Sequence, residues 1–483
     1  MFIWRRYISV NLYRNDYINS EDVWLMKRFI IILFISMFGL YANAKPVNIY
    51  LTKKDFTVDG KSTKIYRIEQ LNGKSGFFGR KGQYFNVNVH NETNTPSTIH
   101  WHGLIDPNNE DGVPFVTQLP IMPGKSKHYK FKLVQAGTFW MHSHYGLQEA
   151  YLASAPLIIY NSKSSENKEK NIVIMLNDFS FRSPKSILYG LSHHKHKMDK
   201  GIMKPDLNDV HYPYMLANYK TANHAPIYHV KAGERVRLRF IDAATGSNFI
   251  LKIPASLRSK AIATDGSDII PKHLGNYGIA VGQRMDINVI IPKYIKNKSY
   301  IIRNIAIGTN QQSAVILQVG ADKLVHVNNT IKNENRGFDF INQARVLHAE
   351  HDINHKVKIN KTLVYKLTGS MNPYQWRINN QKWPHVTPYT LTKGDWYILK
   401  FINSTNMWHP MHLHGHVMKP YKIGNSSIQN GAYRDTIMIP PNTTEEVLLH
   451  ANNPGTWLLH CHLLWHQASG MMTKLTYKNF SKK

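Results

Sequence analysis

Cysteine is almost missing from this 483-residue chain: Cys461 is its one thiol. An internal disulfide is therefore impossible, which excludes a disulfide-stapled scaffold. Charge is also sparse, at 19% of residues, and acid is the scarcer sign: 31 Asp+Glu face 60 Lys+Arg, a formal net charge of +29. With 42% hydrophobic residues the chain is neither a disordered polyelectrolyte nor a collagen-like repeat. Such a basic balance admits nucleic acid or an anionic membrane as a partner. Its lysines are scattered, however, apart from small groups such as Lys163 to Lys170, and no nucleic-acid motif accompanies them. A composition bias that also enriches Asn and Ile is the simpler reading, and no nucleic-acid partner is expected.

Long apolar runs are missing too. The one strongly apolar stretch, Phe29–Leu40 (FIIILFISMFGL), falls short of the roughly 18 residues that cross a bilayer, so no stable membrane insertion is expected. Lys27-Arg28 precede it and Ala42-Asn43-Ala44 follow, the three parts of a secretory signal peptide. Residues 1–44 are accordingly assigned to an amino-terminal extension and signal, cleaved after Ala44, with the remainder periplasmic or secreted. Met26 is an alternative start. Arg5-Arg6 lack the directly following apolar run that twin-arginine export calls for.

Long helical periodicity is the last absence, short helices near Ser186–His193 and Tyr145–Ala150 aside. What remains is β throughout. Segments such as Tyr84–Val89 (YFNVNV), Val236–Ile241 (VRLRFI) and Trp396–Ile402 (WYILKFI) are rich in β-branched and aromatic residues, with Gly, Pro and Asn between them. The pattern repeats. Lys81-Gly82 opens a strand leading to His100-Trp101-His102, and Lys393-Gly394 opens one leading to His412-Leu413-His414, 18 residues from glycine to histidine in both. Gly137–His144 (GTFWMHSH) matches Gly455–His462 (GTWLLHCH). A third copy starts at Gly233 (GERVRLRF), but its counterpart of the first histidine is Leu251. The repeat predicts three all-β domains, 45–165, 166–340 and 341–483, with the polar stretches Asn161–Asn171 and Asn328–Arg336 near the joins, and histidine pairs in the first and third alone.

Four His-x-His pairs and one cysteine carry the chemistry. In a strand, residues i and i+2 share a face about 7 Å apart, so each pair presents two imidazoles side by side. One such pair is ordinary cross-strand packing; four in a duplicated frame are not. A metal cluster held between the first and third domains uses all eight. Zinc sites need four ligands and often paired cysteines, whereas imidazoles plus one soft sulfur suit copper. Cys461 lies between His460 and His462, so its sulfur faces away from theirs. With His409, His466 and Met471 it has the composition of a blue-copper electron-transfer site. A lone buried cysteine is ordinarily a small hydrophobe, and those three neighbours argue against that here.

These motifs, HWHG at 100–103, HSH at 142–144, HPMHLHG at 409–415 and HCHLLWHQASGM at 460–471, resemble the four copper motifs of the three-domain multicopper oxidases, a group that includes laccases, cuprous oxidases and copper-resistance oxidases. The resemblance spans essentially the whole chain after residue 44. It implies three tandem cupredoxin-like Greek-key β-barrels and four copper ions, one type 1, one type 2 and two type 3. It assigns His409, Cys461, His466 and axial Met471 to type 1, and His100 and His412 to type 2. One type 3 ion takes His102, His142 and His462; the other takes His144, His414 and His460. It also implies a monomer that couples four one-electron oxidations at type 1 to reduction of dioxygen to water. Cys461 with His460 and His462 is expected to link the two centres, and Asp111, in EDGVP, matches the family's acid near the cluster; a turn-forming Asp before Gly112 is the structural alternative.

Several departures and open choices follow. Gln467 stands where several bacterial members carry a glutamate on the proton path, and it cannot ionise. Asp435, in YRDT, reads as a turn cap in preference to an orienting role at type 1. Ser192–His211 holds His193, His194, His196, Met198, Met203 and His211, soft donors that suit Cu(I) yet are interrupted by lysines, as in a solvated loop. Met407 and Met411 flank His409, and apolar packing is the reading preferred over a rim at type 1. The electron donor expected is a phenol or aromatic amine, with Cu(I) as the alternative. A copper-free scaffold on this fold is disfavoured because no ligand position is missing, and a two-domain nitrite reductase because of the chain's length.

Overall fold

The computed structural model describes residues 45–161, 169–193, 207–321, 323, 325–332, 337–351 and 357–480. The expected signal peptide and His194, His196, Met198 and Met203 lie outside them. The described chain is all-β, as expected, and its six sheets form three pairs. In the first pair, Lys61–Glu69, Val47–Val58, Tyr84–Asn91 and Ser126–Lys132 lie in that order, facing Phe77–Arg80, Ser154–Tyr160, Gly137–Ser143 and Ile99–His102. The second pair runs from Lys170 to Val319 and the third from Ile359 to Tyr477, each a six-stranded and a five-stranded sheet.

The repeat seen in the sequence is a repeat of topology. In each pair the opening strand runs parallel to the strand behind the Lys-Gly or Gly-Glu turn: Val47–Leu51 on Val87–Asn91, Lys170–Leu176 on Val236–Asp242, Ile359–Leu367 on Trp396–Asn403. Alternation does the folding. In Trp396–Asn403 every second residue, including Tyr397, Leu399 and Phe401, is buried while its neighbours are half-exposed. The short helices appear as Pro184–His193 and a 3-10 turn over Gln148–Tyr151. Among the described residues no helix is long and apolar enough to cross a membrane.

The strand Arg235–Asp242 departs from simple alternation, for its arginine face is buried as well. Arg237 and Arg239 converge on Asp286, at 2.6 and 2.9 Å, and Asp286 accepts from the Thr138 hydroxyl of the first sheet pair at 2.6 Å. The face that reads as solvent-facing is thus a seam between sheet pairs. Burial alone raises the Asp286 carboxyl, but Arg237 and Arg239 outweigh it and hold the group below the usual range. An acid so depressed adds stability above its unfolded value, about 3.9, and loses that contribution as pH falls through the folded one. Asp286→Asn leaves two buried cations without their counter-ion, at a cost of about 3–5 kcal/mol. The difference in melting temperature between wild type and this variant is expected to hold from neutral pH to about pH 5 and to shrink below about pH 4.

Candidate metal centre

The histidine strands Ile99–His102, Gly137–Ser143, His409–Leu413 and Thr456–Cys461 are buried on both faces. Antiparallel register sets His100 opposite His142 and His412 opposite His460. All four pairs therefore point one way from their sheets, and the two halves meet. The His100 ring stacks on His414 at 3.8 Å and the His102 ring on His412 at 3.7 Å, between residues more than 300 apart in the chain. Donor nitrogens of His144, His414 and His460 lie within 4.8 Å of one another, as do those of His100, His412 and His414, and of His100, His102 and His142. His462 completes the ring, 4.9 Å from His102 and 5.1 Å from His142 between centroids. Trp140 stacks on His142 at 4.4 Å and closes one side against water.

The outer nitrogens are tied back. His100 Nδ1 bonds the Asp111 carbonyl at 2.9 Å, His414 Nδ1 the Asp111 carboxylate at 3.1 Å, His412 Nδ1 the Asp435 carbonyl at 3.0 Å and His460 Nδ1 the Cys461 carbonyl at 2.9 Å. His102 is turned the other way, with Nε2 3.0 Å from the Asp435 carboxylate. Each bond fixes a tautomer and aims the other nitrogen inward. Those inner atoms, Nε2 of His100, His142, His144 and His412 and Nδ1 of His102, are buried with no hydrogen-bond partner among the described residues. An orphaned buried polar atom costs about 1–3 kcal/mol, so several aimed at one point fit a cation there. Burial pushes His102, His142, His144, His414, His460 and His462 well below the ordinary imidazole range, and their mutual repulsion adds to it. They are neutral, as metal ligands must be.

A second centre lies on the opposite face of the Thr456–Cys461 strand. Cys461 Sγ is 3.7 Å from His409 Nδ1 and 3.5 Å from His466 Nδ1, and the two nitrogens are 3.1 Å apart. The Thr405 hydroxyl holds His409 Nε2 at 2.8 Å. His466 rides on the short helix Leu464–Ser469, whose Leu464 N–H donates to the Thr245 carbonyl of the second sheet pair. Met471 is fully buried, and its carbonyl accepts from the Cys461 N–H at 3.1 Å. Burial pushes the Cys461 thiol up, so a thiolate forms there only beside a cation. Two imidazoles and a sulfur in a dry triangle fit copper.

Asp435 is the clear correction. Read as a turn cap, it is fully buried behind the cluster, held by the Thr436 hydroxyl and by Arg284, and it orients His102 and His412. Asp111 is beside the cluster, where it braces His100 and His414. Met407 and Met411 are packed, with Met411 opposite Cys461 and neither at a rim. His193 is exposed and stacks on Tyr189, and His211 is exposed, so the described part of the 192–211 segment gathers no donor set of its own. Within the same segment, Asp209 does reach the second centre, 2.9 Å from His466 Nε2, and accepts from Tyr374. Sequence reading passed over Asp209 and over Glu149, whose buried carboxyl is 3.4 Å from His142. Glu149 had a signal, seven residues beyond His142 in the 3-10 turn Gln148–Tyr151 that follows the strand.

Family models described as multicopper oxidase match residues 52–164, 171–324 and 356–481. This chain belongs to the multicopper oxidase family. It is an oxidoreductase with copper cofactors that uses dioxygen and a reducing substrate. It is similar to multicopper oxidase MmcO of Mycobacterium tuberculosis, 29% identical over 420 residues that cover 81% of this chain and 79% of that one. It is 26% identical to a laccase-2 of Botryotinia fuckeliana, over 78% of this chain and 72% of that one. It is 24% identical to copper resistance protein A of Escherichia coli, over 82% and 86%. The fold matches that of Fet3p, a multicopper oxidase that functions in iron import, with a TM-score of 0.76, 18% identity and coverage of 89% and 90%. It also matches the laccase of Botrytis aclada, with a TM-score of 0.72, 22% identity and coverage of 92% and 90%.

Asp111→Ala removes the carboxylate that is the partner of His414 Nδ1 among the described residues, while His100 keeps the Asp111 backbone carbonyl. Copper affinity at the cluster, or turnover, is expected to fall by roughly 10–100-fold, with the Cys461 centre unchanged. Asp111→Asn keeps an acceptor and should recover part of it. Copper per chain, measured beside the visible spectrum, checks both.

Proposed function

We propose that the chain is an exported, monomeric oxidase with four coppers, divided as 45–165, 166–340 and 341–483. The ligands are His409, Cys461, His466 and Met471 for type 1, and His100 and His412 for type 2. The type 3 ions take His102, His142 and His462, and His144, His414 and His460. The observation that carries this reading is the convergence of eight imidazoles from two sheet pairs, all buried but the half-buried His144, with Cys461 directly between two of them. Copper ions held there supply one-electron steps that pass four electrons from a reducing substrate to dioxygen, giving water.

The protein's own part is to hold, insulate and supply protons. Cys461 is bonded through backbone to both His460 and His462, so a short covalent path joins the centres. Trp140 and the stacked imidazoles keep water from the inner nitrogens. Gln467 cannot ionise, but two buried acids stand near. The Glu149 carboxyl stands 3.4 Å from His142, and burial pushes it up to about 8. Asp106 is buried on the wall of a cavity of about 800 Å³ that opens beside the Asp111 loop.

For the donor we propose phenols or aromatic amines, in line with the laccase relatives. Asp209 favours a second reading. One of its carboxylate oxygens has no hydrogen-bond partner among the described residues, and the other is at His466, where electrons enter. A carboxylate there offsets the charge of a cation approaching His466, and Cu(I) is the second donor proposed, although a carboxylate alone is too hard a ligand to select it. Oxygen uptake by the copper-loaded chain, with a dimethoxyphenol or Cu(I), each with and without excess Cu(II), separates the two. Phenol turnover indifferent to added copper supports the laccase reading; turnover of Cu(I) alone, or of phenol after copper addition, supports the metallo-oxidase. No uptake with either donor overturns both.

A further inference from the structure

The middle sheet pair, 170–319, carries no copper motif, yet one of its turns reaches the cluster. Gly282, at φ +85°, is so close that a Cβ there would meet the His462 ring at 3.0 Å and His102 at 3.3 Å. Hydrogen is the largest substituent that leaves both rings in place. The next residue, Gln283, donates from Nε2 to the Thr436 carbonyl at 2.9 Å, across to the third sheet pair. Arg284 follows, fully buried, and ties all three sheet pairs together. Its Nη1 and Nη2 donate to the two oxygens of Asp435 at 2.7 and 2.5 Å, and its Nε donates to the Thr138 carbonyl of the first sheet pair at 3.0 Å. Asp265, also of the middle pair, lies 3.7 Å from Arg284 and adds a second carboxylate to the group. Asp435 in turn holds His102 Nε2 at 3.0 Å and, through its carbonyl, His412 Nδ1 at 3.0 Å. Gly103, directly behind His102, leaves the space that Arg284 and Asp435 fill, since a Cβ there would overlap both.

We infer that the Gly282–Gln283–Arg284 turn makes the copper-free middle domain a working wall of the cluster, with Arg284 as a positioning residue that sets His102 and His412 through Asp435. The inference rests on the copper assignment above. Its physical content is that planar, two-pronged recognition of Asp435 fixes the carboxylate's rotation, and the carboxylate fixes the rings. Lysine, a single point charge, neutralises Asp435 without fixing it. A role limited to holding the fold together makes a different prediction, because it acts on both centres alike.

The test uses the full copper-loaded chain with Arg284→Gln, Arg284→Lys and Gly282→Ala. Copper per chain, the electron paramagnetic resonance signal of type 2 copper, the near-ultraviolet absorption of the type 3 pair and the visible blue band are read together. Arg284→Gln is expected to keep the blue band and to lose cluster copper, with affinity down by roughly 10–100-fold. Arg284→Lys restores only part of it. Gly282→Ala changes no charge and is expected to disturb the type 3 signal with the blue band intact. It also decides the matter if Arg284→Gln does not fold. Full cluster signals in Gly282→Ala and in both Arg284 variants overturn the inference alone. Parallel loss of the blue band and the cluster overturns it in favour of a purely structural role. A wild-type chain that binds copper only at Cys461 overturns the cluster reading and this inference together.

Discussion

Cys461→Ser is expected to abolish the intense visible absorption of the copper-loaded protein and to reduce donor-driven oxygen uptake to background. The reason is local. Only Cys461 offers a soft sulfur anion at the second centre, and a serine hydroxyl neither ionises there nor donates as a thiolate does. The substitution is small and the site is dry, so its cost to the fold is that of a buried hydroxyl without a good acceptor, about 1–3 kcal/mol. That is a fraction of the roughly 5–15 kcal/mol that holds a domain together. His460 and His462 flank the mutated position but point to the opposite face, so copper at the cluster is expected to remain. Circular dichroism unchanged, copper per chain lower by about one and no blue band form the expected triplet. A blue band in Cys461→Ser sinks the type 1 assignment outright.

The histidine pairs and Cys461 stood out in the sequence better than the groups that brace them. Period-two alternation in WYILKFI, and the equal spacing from Gly82 to His100 and from Gly394 to His412, are local signals, and topology followed them. The histidine pairs were legible because period two is built into a strand. Asp435 was not, since its partner His102 lies 333 residues away and an Asp ahead of Thr reads equally as a turn. Arg237 and Arg239 alternate as surface residues do, and only the packing of a second sheet pair against them makes that face a buried ionic seam. Gly282 and Arg284 belong to the repeat that lost its histidines, which drew attention away from them. Charges that act across sheet pairs leave no periodicity behind.

His412→Ala is expected to give the reverse of the Cys461 result: a retained blue band with oxygen reduction stopped. His409 and His412 lie on one five-residue strand, His409–Leu413, but serve different centres. Met411, which lies between them, pairs with Cys461, while His412 pairs with His460. Truncating His412 removes the ring stacked on His102 at 3.7 Å and strands the Asp435 carbonyl that accepted its Nδ1–H. One of the two imidazoles proposed for type 2 is lost, the other being His100, and the remaining rings lose a packing partner. The His409, Cys461 and His466 triangle keeps every contact it has. Mixing the variant with a reducing donor without air should therefore bleach the blue band as in wild type, because the proposed entry point at His466 is untouched. Readmitting air should restore the colour in wild type within turnover time and leave the variant bleached, as its electrons have no working cluster to reach. Bleaching and recolouring at wild-type rates, with normal oxygen uptake, would mean that dioxygen is reduced without His412, and the cluster built from these eight histidines would have to be drawn again.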